Sequence, residues 1–124
     1  MIQYKLGVPV SPDGKPIGLH PEIEERVLPL LARLYGDHDV DCWITATSNG
    51  EHKKGSLHYA VPCRAVDVRT RNLLDEATKF TVRAYLQQML GKDFDVLYEN
   101  PGGPNQHLHI EIQHVPKKVA VGGS

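Results

Sequence analysis

The sequence predicts a small α+β domain, a mostly antiparallel sheet with helices packed on one of its faces. Two stretches, residues 19–36 and 73–90, carry apolar side chains at helical spacing. Four short β-rich segments surround them, and the last alternates strictly between polar and apolar residues. The length, 124 residues with 40% hydrophobic and 23% charged side chains, suits one globular domain over 1–124.

Residues 1–18 are rich in Pro and Gly and are expected to form an extended arm with turns, SPDGKP marking one of them. LHPEIEERVLPLLARLYG predicts the first helix. Pro21 suits its first turn, Glu22, Glu24 and Glu25 its positive end, and Gly36 its stop. Ile23, Val27, Leu30, Leu31 and Leu34 form its apolar stripe. Pro29 inside that stripe predicts a kink, or a helix starting only after Arg26. VDCWITAT (40–47) predicts a strand with Trp43 in the core, and SNGEHKKGS a polar loop. AVDVRT (65–70) predicts a second strand. The second helix spans 73–90, with Leu74, Ala77, Phe80, Ala84 and Leu90 as apolar positions and Gly91 as its end. DFDVLYE (93–99) and HLHIEIQH (107–114) predict paired strands around the turn NPGGPNQ, and 115–124 a flexible tail.

Composition narrows the function. A formal net charge of −1 makes no case for nucleic acid. No apolar run approaches the ~18–20 residues of a membrane span, and no cationic amphipathic helix suggests a membrane surface. The N-terminus lacks the pattern of a secretory signal, so the expectation is a chain that is cytoplasmic at synthesis. Cys42 and Cys63 are too few for a disulfide scaffold and are expected as buried thiols. Seven histidines are the unusual feature; His52, His58, His107 and His109 fall in two stretches that also carry carboxylates. His20, His38 and His114 are expected at the surface.

In HLHIEIQH, strand alternation places His107, His109 and Glu111 on one face and Leu108, Ile110 and Ile112 on the other. Alone, the His-x-His pair is a weak signal and reads first as two exposed histidines on an amphipathic strand. Asp67, however, lies inside a strand, where Asp is disfavoured without a specific role. One role is a salt bridge to Arg64, Arg69 or Arg71. Another is metal ligation: a loop His58, a strand Asp67 and a histidine from a second strand supply three ligands from separate segments, the count of a catalytic zinc that keeps one open position.

SLHY followed by RAVDVR, and a Glu preceding HLH, resemble the fold family shared by D-alanyl-D-alanine metallopeptidases and the hedgehog signalling domain. The matching positions are Ser56, His58, Ala65, Asp67, Glu99, His107 and His109, and the resemblance spans about residues 20–114. It implies one zinc per chain held by His58, Asp67 and His109. It implies Glu99 as general base and His107 as the group that stabilises the oxyanion or orients substrate; Glu111, on the His109 face, is the competitor for the base. Zinc lowers the pKa of water from ~15.7 to about 7 and polarises the scissile carbonyl, and a neighbouring carboxylate moves the proton.

The chain departs from that pattern in three places. The interval between His58 and Asp67 is two residues longer, the addition falling in AVPC, and the hairpin turn after Glu99 is also longer. The Arg that those peptidases often carry after the first strand is absent. Arg64, Lys53 or Lys54 is expected to replace it at a substrate carboxylate, beside Ser56 and His52. The resemblance implies peptidoglycan stem peptides as substrate, and the small size and expected lack of a secretion signal would suit a phage or prophage lysis protein released by a separate membrane pore. The competing reading is a zinc-bearing, non-catalytic module for interaction or assembly.

Overall fold

The computed structural model describes residues 1–115; the predicted tail otherwise lies outside them. It is α+β: a mixed five-stranded sheet in the order β1-β2-β3-β5-β4, with two helices. The strands are β1 (Ile2–Tyr4), β2 (Cys42–Ala46), β3 (Ala65–Arg69), β4 (Phe94–Glu99) and β5 (His107–Ile112). Only β1 and β2 run parallel; the other three pairings are antiparallel.

The predicted arm therefore needs correction. Its start forms an edge strand, with Ile2 opposite Cys42 and Tyr4 opposite Ile44. Three residues are too short to show a period, and the pairing spans a helix crossover. Pro29 falls in the first turn of an α-helical stretch that begins after Arg26, as one of the two expectations has it, but helical backbone already precedes that stretch from residue 21. A π-helical turn, Ile23–Val27, leads into α1 (Leu28–Gly36), and the Leu28 N–H bonds to the Ile23 carbonyl five residues back. Pro29 has no N–H and its ring would crowd the carbonyl four residues back, so the wider turn accommodates it.

The second helix, α2 (Glu76–Leu90), starts later than predicted. Asp75 caps it, its carboxylate accepting from the Thr78 N–H at 2.8 Å. That phase buries Lys79, Val82, Leu86 and Leu90, and leaves Leu74, Ala77, Phe80 and Ala84 exposed. Of the five expected apolar positions only Leu90 faces the core. Phe80 packs edge-on against Tyr98 instead. Trp43 is likewise outside the core: Cys42 and Ile44 point inward, and Trp43 lies half-buried on the other face under the Arg69 guanidinium.

The inward residues of β2–β5 and the buried faces of both helices make one core. Cys42 and Cys63 are buried free thiols. His38 and His114 are exposed, while His20 is half-buried and accepts the Glu22 N–H. Among the described residues no helix is long and apolar enough to cross a membrane. The helices occupy one face of the sheet, which leaves the other face for polar side chains.

Candidate metal centre

On that polar face the register of β3, β5 and β4 builds rows. Asp67 pairs with His109, and His109 with Leu97. The adjacent row is Arg69, His107 and Glu99. The longer NPGGPNQ turn thus leaves Glu99 directly opposite His107.

The segment between β2 and β3 folds over these rows and carries His58 on a 3₁₀ turn, Leu57–Tyr59. Ser56 caps the turn, its Oγ accepting from the His58 N–H at 3.2 Å. The Arg64 N–H donates to the Leu57 carbonyl and closes the loop at its base. The added residues bulge outward at Val61, which is 97% exposed, while Cys63 is tied to Gly18 and His20 by backbone bonds. His58 itself is buried.

Two imidazoles converge on one carboxylate oxygen. His58 Nε2 lies 3.2 Å, and His109 Nδ1 2.9 Å, from Asp67 Oδ1. Their outer nitrogens are both engaged. His58 Nδ1 is 2.6 Å from the Thr47 carbonyl, which can only accept, so Nδ1 carries a proton. His109 Nε2 is 2.5 Å from Glu111 Oε1 and donates to it. In each neutral ring the remaining lone pair would then face the Asp67 oxygen, acceptor against acceptor. Only a positive centre at that point relieves the clash.

In the metal-free protein protons supply it. Burial pulls the His58 pKa down, but hydrogen bonding to Asp67 and Cys63 and the Asp67 charge outweigh it and bring it up to about 10. Burial likewise opposes ionised Asp67, yet the hydrogen bonds from His109 and His58 hold its pKa far below the usual range. His109 is also raised, its bonds to Asp67 and Glu111 overcoming burial. A metal cation at the same point would displace these protons. The donor set fits such an ion: imidazole and carboxylate ligands, with acceptors fixing each histidine from behind.

His52, His58 and Asp67 each offer a ligand atom within 4.8 Å of the others and could hold a metal ion. His52 stacks on His58 with ring centroids 3.8 Å apart and planes within 7°. Its Nε2 contacts the Asn49 carbonyl. Imidazole lone pairs lie in the ring plane, so two stacked rings aim along parallel planes that do not meet. The His58 and His109 planes differ by 58°, which lets their lone pairs cross.

A groove of 560 Å³ opens on the cluster. Glu99, His107 and Leu97 line it from the sheet, and His52, Lys53 and Ser56 from the loop. His107 Nε2 is 3.1 Å from Glu99 Oε1 and its Nδ1 is 2.7 Å from the Asn105 carbonyl. Nδ1 donates to that carbonyl, which can only accept, and Nε2 faces the Glu99 carboxylate.

Two expectations fall outside this arrangement. Arg64 donates to the carbonyls of Ile112 and Gln113 and does not line the groove. Nor does Asp67 pair with Arg64, Arg69 or Arg71; its ionic partners are His58, His107 and His109. The Thr47 carbonyl was beyond sequence reasoning, since a backbone acceptor has no residue signature.

No protein-family model matches the chain, and neither a curated protein nor a solved structure is significantly similar to it.

Proposed function

We propose that the protein is a zinc-dependent metallopeptidase acting on peptidoglycan stem peptides, with zinc held by His58, Asp67 and His109. One observation carries this reading: two histidines, each fixed from behind by an acceptor, aim their remaining nitrogens at a single Asp67 oxygen. Crossed rings favour His109 over His52 as the third ligand. The substrate class rests on the resemblance of SLHY, RAVDVR and HLH to D-alanyl-D-alanine peptidases.

When bound, zinc supplies Lewis acidity, polarising a carbonyl and making water acidic near neutral pH. The chain's own groups do the rest. Glu99, 45% exposed at the groove rim, takes a proton from the attacking water and delivers it to the leaving amine. His107, oriented by the Asn105 carbonyl, donates from Nε2 to the oxygen that gains charge on the scissile carbonyl. Glu111 orients His109.

The test is metal content together with product release. The purified protein should carry about one zinc per chain and release peptide fragments from purified peptidoglycan. His109→Ala should abolish zinc binding, and His52→Ala should retain it. The reverse pattern assigns the metal to His52, His58 and Asp67. A zinc-loaded wild type that releases nothing favours the non-catalytic module.

A further inference from the structure

Beside the groove lies a second cavity of 480 Å³ with a different character. Lys5, Arg69 and Arg71 line it, with Thr45 and Asn105 between them. Among the described residues none of the three cations forms an ion pair. Glu51, Asp67 and His107 line both cavities, so the basic one continues directly into the proposed catalytic groove. Asp67 is already held by the two imidazoles, which leaves Glu51 as the single carboxylate able to oppose three positive charges.

Arg69 is pre-set for a ligand. Its guanidinium carbon lies 5.1 Å from the centre of the Trp43 ring, which supports the planar group without consuming its hydrogen-bond donors. On β3 it is two residues from Asp67, and it pairs across the sheet with His107. A group gripped by Arg69 therefore sits one row away from the reacting carbonyl. Arg64, the expected anchor, is held by backbone carbonyls on the far end of β5. Lys5 reaches the site because the first residues form β1 and bring it alongside β2, its N–H bonded to the Ile44 carbonyl.

We propose that Lys5, Arg69 and Arg71 form a carboxylate-binding subsite that holds the free carboxylate of the peptide next to the bond being cut. This rests on the peptidase reading and sharpens it: the preferred substrate carries a carboxylate on the leaving side, as a carboxypeptidase's does. An uncharged or amidated end leaves three cations unanswered.

The sole tryptophan, Trp43, reports on the site. Its fluorescence is titrated in the full-length protein, with and without zinc, using N-acetyl-D-alanyl-D-alanine and its C-terminal amide. The acid should bind about tenfold or more tightly than the amide, a preference that weakens with salt. Lys5→Gln and Arg71→Gln should each reduce it. Arg69→Gln should remove most of it, read by calorimetry because the variant alters the indole's surroundings. Unchanged zinc content shows that these variants are folded. Equal binding of acid and amide, no binding of the acid, or inorganic phosphate binding as tightly as the acid would each overturn the subsite. None of these readouts uses hydrolysis. A failed preference therefore leaves the peptidase reading standing, and a clear preference in a protein that cleaves nothing overturns only the peptidase reading.

Discussion

His107 and His109 stand two residues apart on one strand and face the same way, yet their surroundings differ. The His109 side chain is 12% exposed and lies between two carboxylates, Asp67 and Glu111. The His107 side chain is 25% exposed and lies between a backbone carbonyl and Glu99, which is itself 45% exposed. Strand alternation gives both the same face; the cross-strand row decides the task. The row of Asp67 and His109, roofed by His58, has its donors locked and suits holding a cation. The row of Arg69, His107 and Glu99 is open and suits handling substrate and protons. The same division separates the two acids, Glu111 behind a proposed ligand and Glu99 at the rim.

The sharpest way to break that division is to neutralise the two acids in turn. Glu99→Gln keeps shape and hydrogen bonding but removes the base. Turnover should fall ~100- to 10,000-fold with zinc still bound, measured as fragment release from peptidoglycan alongside metal content. If Glu99→Gln stays active and Glu111→Gln is dead at full zinc occupancy, the rows have exchanged roles.

A smaller effect is expected from Glu111→Gln. A carboxylate behind a ligating histidine raises its basicity and fixes its tautomer, and its loss typically costs ~10- to 100-fold in metal affinity. Competition with a chelator should show that weakening, while turnover at saturating zinc recovers most of the wild-type rate. An affinity equal to wild type would remove Glu111 from the metal's support.

The sequence carried the face of each strand and the order of the site residues, because period-two alternation in HLHIEIQH and AVDVR is a local property. The burial pattern of β5, alternately partial and full, follows it residue by residue. It did not carry the phase of α2, where Leu74, Ala77, Phe80 and Ala84 suggested one stripe and the Asp75 cap selected another. It missed β1, whose three residues gain meaning only by pairing with β2. In the site, the contacts of His58 and His109 with Asp67 followed from separate segments converging. Which group stands behind each imidazole depends on a backbone carbonyl and on rotamers. Arg64 shows the limit in the other direction: a cation near the motif in sequence is turned to the carbonyls of Ile112 and Gln113, and Arg69, whose partner is the distant Trp43, faces the cavity.

The smallest expected effect is a change of stability with pH, and it probes the closed row without any substrate. His58 has a folded pKa of about 10 against an ordinary 6.5. A raised folded pKa means stabilisation that is complete below about 6.5 and is lost as pH climbs through about 10. Asp67 has the opposite sign: lowered from 3.8, it stabilises above that value and loses its contribution as pH falls below it. The two describe one contact from its two ends and are not summed. The metal-free protein should therefore melt highest between about pH 4 and 6.5, and less high as pH rises further. Zinc needs both imidazoles deprotonated, so saturating zinc should add more to the melting temperature at about pH 8.5 than at about pH 6. Thermal melts with and without zinc should thus diverge as pH rises, and Asp67→Asn should bring them together by removing the oxygen on which both imidazoles converge. Parallel curves, or a metal-free melting temperature that climbs between about pH 6.5 and 9, would show that the proton and the metal do not compete for that point.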